Sequence, residues 1–411
     1  MEAVSRTILL AAPFTPVPEG RHGGARAIHG LAGALAERHH VLLVHLATEP
    51  EVDPQLAARC TAIRSVPPTN GGRWARRLRA GATLARGRSM WAAEARIGAL
   101  QREVRELLTA HRPDVVQAEY AVVGDVLACA TRNELRILTI YDPAASDVDS
   151  LPFRHEGLRV AHRLDARVAV RQERRVASRA DAVVALTERD RRLLAASLPA
   201  ESELTVIGLG WSVPARALNP VGIAPPTLLF IGNFMHSPNV DAALRLVHEV
   251  LPRVRAAHPD VTLDLVGPWA PPEVQALAGD AVRVTGEVPS VLPYLDRAAL
   301  VVVPIALGGG MRVKVLEAMA AGKAVVATTR ATEGLSAPAG EAFILADGDT
   351  VMSQAIARLL TDEDARRRIA SNARAWAEDE LAWGRMADRY DELYARLEAR
   401  RSGLPGGGTH G

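Results

Sequence analysis

Short runs of apolar residues alternate along the chain with longer segments in which apolar residues recur every three to four positions. The apolar runs of the first half have the length of β-strands and lie at 7–11, 41–46, 115–118, 137–140 and 183–186. The intervening spacing is helical, beginning at about 24–37. This alternation is typical of a parallel sheet with helices on both faces.

The same pattern restarts in the second half, after a segment at 208–226 that is rich in Pro and Gly and has little periodicity. A helical pattern near 240–257 follows the first of the new strand-like runs. These runs lie at 227–232, 261–267, 282–286, 300–304, 324–328 and 343–345. The repeat predicts a second doubly wound unit, whose ligands bind at the carboxyl ends of its strands.

We therefore predict an α/β protein built as two facing Rossmann-like domains, each a doubly wound parallel sheet, with a ligand cleft between them. A chain of 411 residues is long enough for two such cores. The predicted domains are 1–212 and 227–380, joined by a linker at 213–226. A last helix at 381–400 is expected to return to the first domain, and 401–411 is predicted to be a disordered tail.

Composition narrows the class of function. The net charge of +2 and the aromatic content of 4% argue against a nucleic-acid-binding protein. Cys60 and Cys129 lie far apart without metal-ligand spacing, so we predict neither a disulfide framework nor zinc, and a reducing cytoplasm. No run approaches the ~18 apolar residues of a membrane span.

Segment 73–105 contains nine arginines with tryptophan, leucine and methionine between them. It could form an interfacial helix that contacts anionic lipid or a lipid-linked acceptor, which would place the protein at the inner face of the cell membrane. The glutamates in its second half favour the alternative, a solvated helix.

The strongest chemical signal is a glycine loop that runs into a helix. Its residues are Gly308, Gly309, Gly310 and Met311. Arg312 and Lys314 follow, although the chain has just two lysines among its 49 basic residues. Cations at a helix start are unfavourable unless an anion binds there, and the backbone N–H groups of the first turn also suit an anion. We therefore predict a phosphate site.

Glu317 lies in the same predicted helix, beside an apolar stripe of Val313, Leu316 and Ala320. A carboxylate next to a core face needs hydrogen-bond donors, and the 2′,3′-diol of a ribose supplies two. Gly322 is predicted to end the helix. Lys323 comes directly after it, where a cation complements the helix dipole.

Four segments of the second half, FIGNFMHSPNVDAALRL, VTLDLVG, VTGEVPSVLPYLDRA and GGGMRVKVLEAMAAGKAVVAT, follow one another in an order known from one family. Together with PVPEGRHGGARAIHGLAGAL and RRVASRADAVVALTERD, they make nearly the whole chain resemble the family 4 glycosyltransferases of the GT-B fold. The resemblance implies transfer of a sugar from a nucleoside diphosphate sugar, with retention of configuration and no further cofactor. It also implies that Glu317 holds the ribose and that basic groups near the glycine loop hold the pyrophosphate.

The chain departs from the family pattern at three places. The first of two glutamates usually separated by seven residues falls on Gly309, and the family histidine near the sugar is replaced by Tyr141 and Asp142. The usual basic pair after the first strand of the second domain is missing from GNFMHSPN. Arg312 and Lys314 thus become the leading pyrophosphate cations.

Further candidates follow from their positions at strand ends and helix starts. Tyr141 and Asp142 are expected to orient the sugar and acceptor, with a strand end satisfied by its own loop as the alternative. Gly24 is expected to bring a backbone donor to the diphosphate, unless it serves a plain strand-to-helix turn. The remaining candidates are Gly232 and Asn233 for the donor, and Gly23 and Glu119 for the acceptor.

The predicted activity is that of a metal-independent glycosyltransferase acting on a hydroxylated small molecule, glycan or lipid-linked acceptor. Asp147–Asp149 resembles the metal-binding motif of a different glycosyltransferase fold, but it lies in a loop of the first domain. Two alternatives stay open: a sugar-nucleotide 2-epimerase, and a catalytically silent partner protein with the same fold.

Overall fold

The computed structural model describes residues 4–18, 23–67, 78–79, 81–84, 87–93, 95–146, 156–198, 203–307 and 313–402. Several sequence predictions lie outside this part of the chain. They are the glycine loop with Met311 and Arg312, the acidic motif at 147–149, parts of segment 73–105, and the tail beyond residue 402.

The chain divides into two compact units, the first of which comprises Met1–Asp149, Phe153–Gly210 and Trp383–Gly411. Its strands are β1 (Thr7–Ala12), β2 (His40–Leu46), β3 (Ala62–Val66), β4 (Val115–Glu119), β5 (Leu135–Ile140), β6 (Ala182–Ala185) and β7 (Glu203–Val206). They form one sheet in the order β3-β2-β1-β4-β5-β6-β7, and every pairing is parallel.

The helices of this unit are α1 (Gly23–Ala36), α2 (Pro54–Arg59), α3 (Ile97–His111), α4 (Glu156–Ala177) and α5 (Glu188–Ser197), with short 3-10 turns at Met90–Ala93, Gly124–Cys129 and Ala144–Ser146. Two buried hydrophobic clusters contain alternate residues of the central strands, such as Leu9 in one and Ile8 in the other. The strands are therefore covered on both faces, which is why they read as continuous apolar runs. The sequence missed two strands: β3, in which Arg64 and Ser65 are exposed, and β7, whose four residues are all half-buried.

The second unit comprises Ser150–Pro152 and Trp211–Ala382. Its strands are β8 (Thr227–Ile231), β9 (Thr262–Val266), β10 (Val282–Gly286), β11 (Leu300–Val303), β12 (Val325–Ala327) and β13 (Ile344–Leu345). They form a parallel sheet in the order β10-β9-β8-β11-β12-β13. All six were predicted from the sequence and are confirmed.

The helices of the second unit are α6 (Ser237–Arg245), α7 (Leu251–Ala257), α8 (Pro272–Gln275), α9 (Leu292–Arg297), α10 (Val313–Ala320), α11 (Asp349–Thr361) and α12 (Glu363–Glu380). A π-helical turn at Leu246–Val250 joins α6 to α7, and a 3-10 turn occupies Thr329–Ala331. One hydrophobic cluster, which includes Phe230 and Val302, fills the space between the sheet and these helices.

Helix α12 ends at Glu380, and a separate helix α13 spans Trp383–Arg401. Helix α13 belongs to the first unit, where it packs against α1. None of the helices in the described ranges is both long enough and apolar enough to cross a bilayer.

Two buried tyrosines attach α13 to the sheet of the first unit. Tyr394 donates a hydrogen bond to the amide oxygen of Gln117 (2.6 Å), and the hydroxyl of Tyr390 lies 3.2 Å from that of Thr139. All four side chains are 3% exposed or less. A buried acceptor that loses its donor is destabilising by about 1 to 3 kcal/mol, so these contacts hold α13 in one register.

Replacing Tyr394 by Phe should lower the free energy of unfolding by about 1 to 3 kcal/mol, because Gln117 loses its buried donor. Calorimetric and denaturant unfolding of both proteins would measure the change. Tyr294→Phe, at a partly exposed tyrosine of the second unit, is the control and should change stability by less than about 0.5 kcal/mol. Equal stability of Tyr394→Phe and the parent protein would contradict this role.

Candidate functional site

The ammonium of Lys314 lies at the start of α10 and is held by two groups of the second unit. Its Nζ donates a hydrogen bond to the side-chain oxygen of Asn239 (2.5 Å) and lies 4.5 Å from the ring centroid of Phe230. Phe230 is a residue of β8, and Asn239 lies in α6, the helix that follows β8. An amide oxygen and an aromatic face both attract a cation, so the lysine is directed toward β8.

Asn239 connects this lysine to the loop after β8, and sequence reasoning missed it. Its amide nitrogen donates to the backbone oxygen of Asn233 (2.7 Å), while the Asn233 side chain accepts from the backbone of Met235 (2.9 Å). Gly232 lies against Asn239, since an added Cβ there would come 3.1 Å from that side chain. The predicted donor residues Gly232 and Asn233 are thus brought together with Lys314. The signal for Asn239 was a lone polar residue within SPNVDAA.

Glu317 lies one turn after Lys314 and is 6% exposed. The predicted single apolar stripe of α10 is wrong, because every residue from Val315 to Ala320 is buried. The helix packs against both β12 and α12, so it is enclosed on more than one side. A carboxylate in this setting requires donors, as the sequence argument assumed.

The loops after β8 and β9 are joined at the carboxyl edge of the second sheet, next to the end of β10. Gly232 donates its backbone N–H to Val266 (2.9 Å), and Gly267 donates to Gly286 (3.0 Å). Gly267 has a φ of 146°, and a Cβ added to it would lie 1.9 Å from the Gly232 oxygen. Glycine is therefore required at 267 for the two loops to meet.

Lys323 does not serve the α10 dipole as the sequence suggested. Gly322 does end the helix as predicted, with a φ of 74°, but the Lys323 side chain is fully buried and its Nζ donates to the backbone oxygen of Asn219. Burial lowers the pKa of Lys323 to about 8. This lysine therefore anchors the segment before β8 and lies apart from the candidate site.

A cavity of about 370 Å³ lies at the carboxyl edge of the same sheet, on the side of β11 that is away from β8. Its lining comes from the loops after β11, β12 and β13 and from α6, and consists of Arg245, Ile305, Ala306, Thr328, Thr329, Arg330, Glu333, Asp347 and Gly348. Thr329 donates both its backbone N–H (2.9 Å) and its hydroxyl (2.6 Å) to Asp347. None of these residues was predicted from the sequence, because threonines, arginines and acidic residues of this kind are common at protein surfaces.

In the first unit, Tyr141 follows β5 and stacks on Tyr120. Their ring centroids lie 4.1 Å apart and the planes differ by 5°. Tyr120 follows β4 with a φ of 75°, and an added Cβ on Gly24 would come 2.1 Å from its hydroxyl. Gly24 therefore has a packing reason to be glycine, and its expected contact with a diphosphate stays a prediction. Gly23 is the first residue of the same helix.

Glu119, predicted to meet the acceptor, is fully buried and is hydrogen-bonded to Tyr141. Its Oε1 accepts from the amide of Gln117 (2.6 Å) and from the hydroxyl of Thr139 (3.1 Å). Burial raises the pKa of the Glu119 carboxyl. A side chain without exposed surface positions its neighbours, which favours a supporting role over direct contact with an acceptor.

Asp142 is exposed and lies in the electrostatic range of a second buried acid, Glu173 of α4. Glu173 is 2% exposed and accepts a hydrogen bond from the backbone of Ala144 (3.0 Å). Burial, opposed by that hydrogen bond, raises the pKa of Glu173 to about 7, with a further contribution from the charge of Asp142. Glu173 thus holds the loop after β5, and its place in the arginine-rich QERRVA gave no sign of this.

The candidates therefore form two groups, one in each unit. Gly24, Tyr141, Asp142 and Glu119 lie at the carboxyl ends of β4 and β5 or at the start of α1, whereas Gly232, Asn233, Lys314 and Glu317 share the second unit. Within the part of the chain that the structure describes, no three His, Cys, Asp or Glu side chains are grouped so as to hold a metal ion.

Known structures share this architecture at low sequence identity. Sucrose-phosphate synthase from Thermosynechococcus elongatus superposes with a TM-score of 0.70 at 18% identity, over 96% of this chain and 100% of that one. HepE of Anabaena, solved with UDP and glucose, gives 0.62 at 16% over 94% and 99%. WaaG, a glycosyltransferase of lipopolysaccharide biosynthesis, gives 0.64 at 15% over 94% and 99%. At such identities the likeness establishes the GT-B fold alone.

Comparison of the sequence with protein families establishes the family. A search of curated protein sequences gives no significant match. The model described as "Glycosyl transferase 4-like domain" matches residues 22–210, and the model described as "Glycosyl transferases group 1" matches residues 225–362. With both halves of the chain matched and the fold in agreement, the protein belongs to the group 1, family 4 glycosyltransferases.

Proposed function

We propose that this glycosyltransferase moves a sugar from a nucleoside diphosphate sugar to a hydroxylated acceptor with retention of configuration. The observation that carries the proposal is the directed ammonium of Lys314, one turn before the buried carboxylate of Glu317 on α10. Together they provide one group for a diphosphate and one for a ribose. A neighbour in fold, HepE, was solved with UDP and with UDP-glucose, which supports a donor of this class.

Lys314 is assigned to the diphosphate. Its ammonium is fixed before any ligand arrives, because Asn239 and Phe230 hold it from two directions. A preorganised cation stabilises the charge that develops on the departing diphosphate without having to reorganise during the reaction. Arg312 and the backbone of Gly308–Met311 are assigned to the same anion on the sequence argument.

Glu317 is assigned to the ribose. The residue retains a small exposed fraction, 6%, on a helix that is buried beyond its first two residues. Two ribose hydroxyls donate to the two carboxylate oxygens in a bidentate arrangement. Because hydrogen bonds to a charged group are worth about 1.5 to 3 kcal/mol, this contact adds affinity for the nucleoside part of the donor.

Tyr141 and Asp142 are assigned to the transferred sugar and the acceptor. The pKa of Tyr141 is raised well above its ordinary value by burial and by the neighbouring Glu119, to which the phenol is hydrogen-bonded, so the phenol keeps its proton. Its oxygen can accept a hydrogen bond from a sugar hydroxyl. Asp142 is the exposed member of the pair, and a carboxylate accepts hydrogen bonds from sugar hydroxyls. Glu173 keeps the loop that carries them in place through Ala144.

The family membership does not favour the two alternatives, a 2-epimerase and a silent partner, and one assay separates them from a transferase. Donor incubated without acceptor yields an epimer and no diphosphate for an epimerase. A transferase releases diphosphate when acceptor is added, and a silent partner releases none with any acceptor pool.

Replacing Lys314 by Ala should weaken binding of a nucleoside diphosphate tenfold or more, since one lost charge-assisted contact is worth at least about 1.4 kcal/mol. Isothermal titration with whichever of UDP, GDP, ADP and dTDP stabilises the protein most would measure it. Arg253→Ala removes an exposed cation on α7 of the same unit and should leave affinity unchanged. Unchanged affinity in Lys314→Ala would remove the lysine from the site.

Replacing Glu317 by Gln should reduce affinity for the nucleoside diphosphate roughly tenfold, and leave affinity for inorganic pyrophosphate unaltered, because only the former carries a ribose. The same titration, run with both ligands, separates the two parts of the donor. An equal loss for both ligands, or a loss of turnover at full nucleotide affinity, would show that the carboxylate serves something other than the ribose.

Replacing Glu173 by Gln should change how stability depends on pH. The folded-state pKa of Glu173 is raised from 4.5 to about 7, so its contribution to stability is present below pH 4.5 and is lost as the pH rises through 7. Glutamine keeps the acceptor for Ala144 and does not titrate. Between pH 4.5 and 7, the free energy of unfolding of the parent protein should therefore fall by on the order of 3 kcal/mol relative to that of the variant, as measured by denaturant unfolding. A constant difference would show that Glu173 is not a buried acid in solution.

A further inference from the structure

Trp269 stands out at the carboxyl end of β9. The chain has six tryptophans, and this one is 41% exposed in a loop. Its φ of 59° lies in the left-handed region, which a bulky side chain rarely adopts. Such a conformation is strained and persists where the surroundings enforce it, often at a site that binds a ligand.

The surroundings of Trp269 do enforce it. On one side the backbone oxygen of Pro268 accepts from the backbone of Phe234 (3.1 Å), and on the other the oxygen of Ala270 accepts from the Gln275 side chain (2.7 Å). The peptide group that precedes the tryptophan and the second peptide group after it are therefore both hydrogen-bonded. An indole on a backbone held on both sides in this way keeps a defined position while 41% of the residue stays exposed.

Trp269 is also next to the candidate donor site. Strand β9 pairs with β8 on the side away from β11, and the loop after β9 bonds directly to the loop after β8. That second loop is bound by Asn239, which in turn holds Lys314. A ligand held by Lys314 and the β8 loop meets the β9 loop as its next neighbour along the sheet edge.

We propose that Trp269 stacks on the base of the bound nucleotide. This inference rests on the proposed function and adds to it the group that recognises the base as a flat aromatic ring. Stacking on an aromatic side chain adds affinity for a base, and it tolerates any base because all have a π-face. Trp269 supplies affinity for purines and pyrimidines alike. Met235, 67% exposed on the neighbouring loop, adds apolar surface beside it.

The base has one alternative position, the charged cavity on the side of β11 that is away from β8. Its lining includes Arg330, which pairs with Glu333 (3.0 Å), and Thr329, bound to Asp347. A base in that cavity would be read by polar groups, so its affinity would depend on Arg330 and would be indifferent to Trp269. Because Lys314 is directed toward β8, a base next to Trp269 is favoured over a base in the cavity.

The test is a titration of the parent protein, Trp269→Ala, Trp269→Phe and Arg330→Ala with UDP, ADP and inorganic pyrophosphate. Trp269→Ala should bind both nucleotides tenfold or more weakly and pyrophosphate equally well, while Trp269→Phe retains most of the nucleotide affinity. Ile223→Ala removes an exposed apolar side chain of the second unit (53%), in the segment before β8, and is the control, with unchanged affinity for all three ligands.

A fifth variant, Trp269→Gly, separates a role in binding from a role in the fold. Glycine accepts a φ of 59° without steric strain, so this protein should unfold at a temperature no lower than the parent while losing the same nucleotide affinity. A loss of stability that parallels the loss of affinity would show that the tryptophan is structural, and would overturn the proposal.

The outcomes also separate this inference from the function on which it rests. If Trp269→Ala binds UDP and ADP as tightly as the parent while Lys314→Ala binds them more weakly, the stacking role is overturned and the proposed donor site is retained. Loss of nucleotide affinity in Arg330→Ala with Trp269→Ala unaffected moves the base to the cavity. A parent protein that binds neither nucleotide overturns both.

Discussion

The contact between the Lys314 ammonium, the Asn239 amide and the Phe230 ring sets the geometry of the second unit's carboxyl edge. It fixes a cation at the start of a helix, where the backbone already presents positive partial charge. That placement is unfavourable for the protein alone and becomes favourable when an anion binds. Because Phe230 belongs to β8 and Asn239 to the helix after it, the position of the cation depends on the same strand that organises the neighbouring loops.

In the first unit, buried hydrogen bonds position the candidate residues, whereas in the second unit the contacts of a cation do so. Gln117, Glu119 and Thr139 lie at the ends of β4 and β5 and are linked to one another. Tyr390 and Tyr394 of α13 complete this network from the far end of the chain. A network of fully buried polar groups has one satisfied arrangement, which fixes the strand ends that carry the stacked tyrosines. The C-terminal helix therefore supports the surface assigned to the sugar and acceptor.

The sequence predicts the strands well and the site in part, for physical reasons that differ. Strands covered on both faces are continuously apolar, so strands such as 227–231 and 300–303 can be recognised directly in the sequence. The donor residues Lys314 and Glu317 were found because a cation and an acid at a glycine-led helix start need a ligand. Asn239, Glu173 and the strained Trp269 were missed, since their roles arise from contacts between segments far apart in sequence. The role of Lys323 was predicted wrongly for the same reason, since its Nζ donates to the backbone of Asn219, about a hundred residues earlier in the chain.

The most direct test of the central claim is a crystal structure of the protein with a bound nucleoside diphosphate. We expect phosphate oxygens within hydrogen-bonding distance of the Lys314 Nζ and ribose hydroxyls on the Glu317 carboxylate. A diphosphate bound instead among Thr328, Arg330 and Asp347, with Lys314 still held by Asn239 and touching no ligand atom, would contradict it.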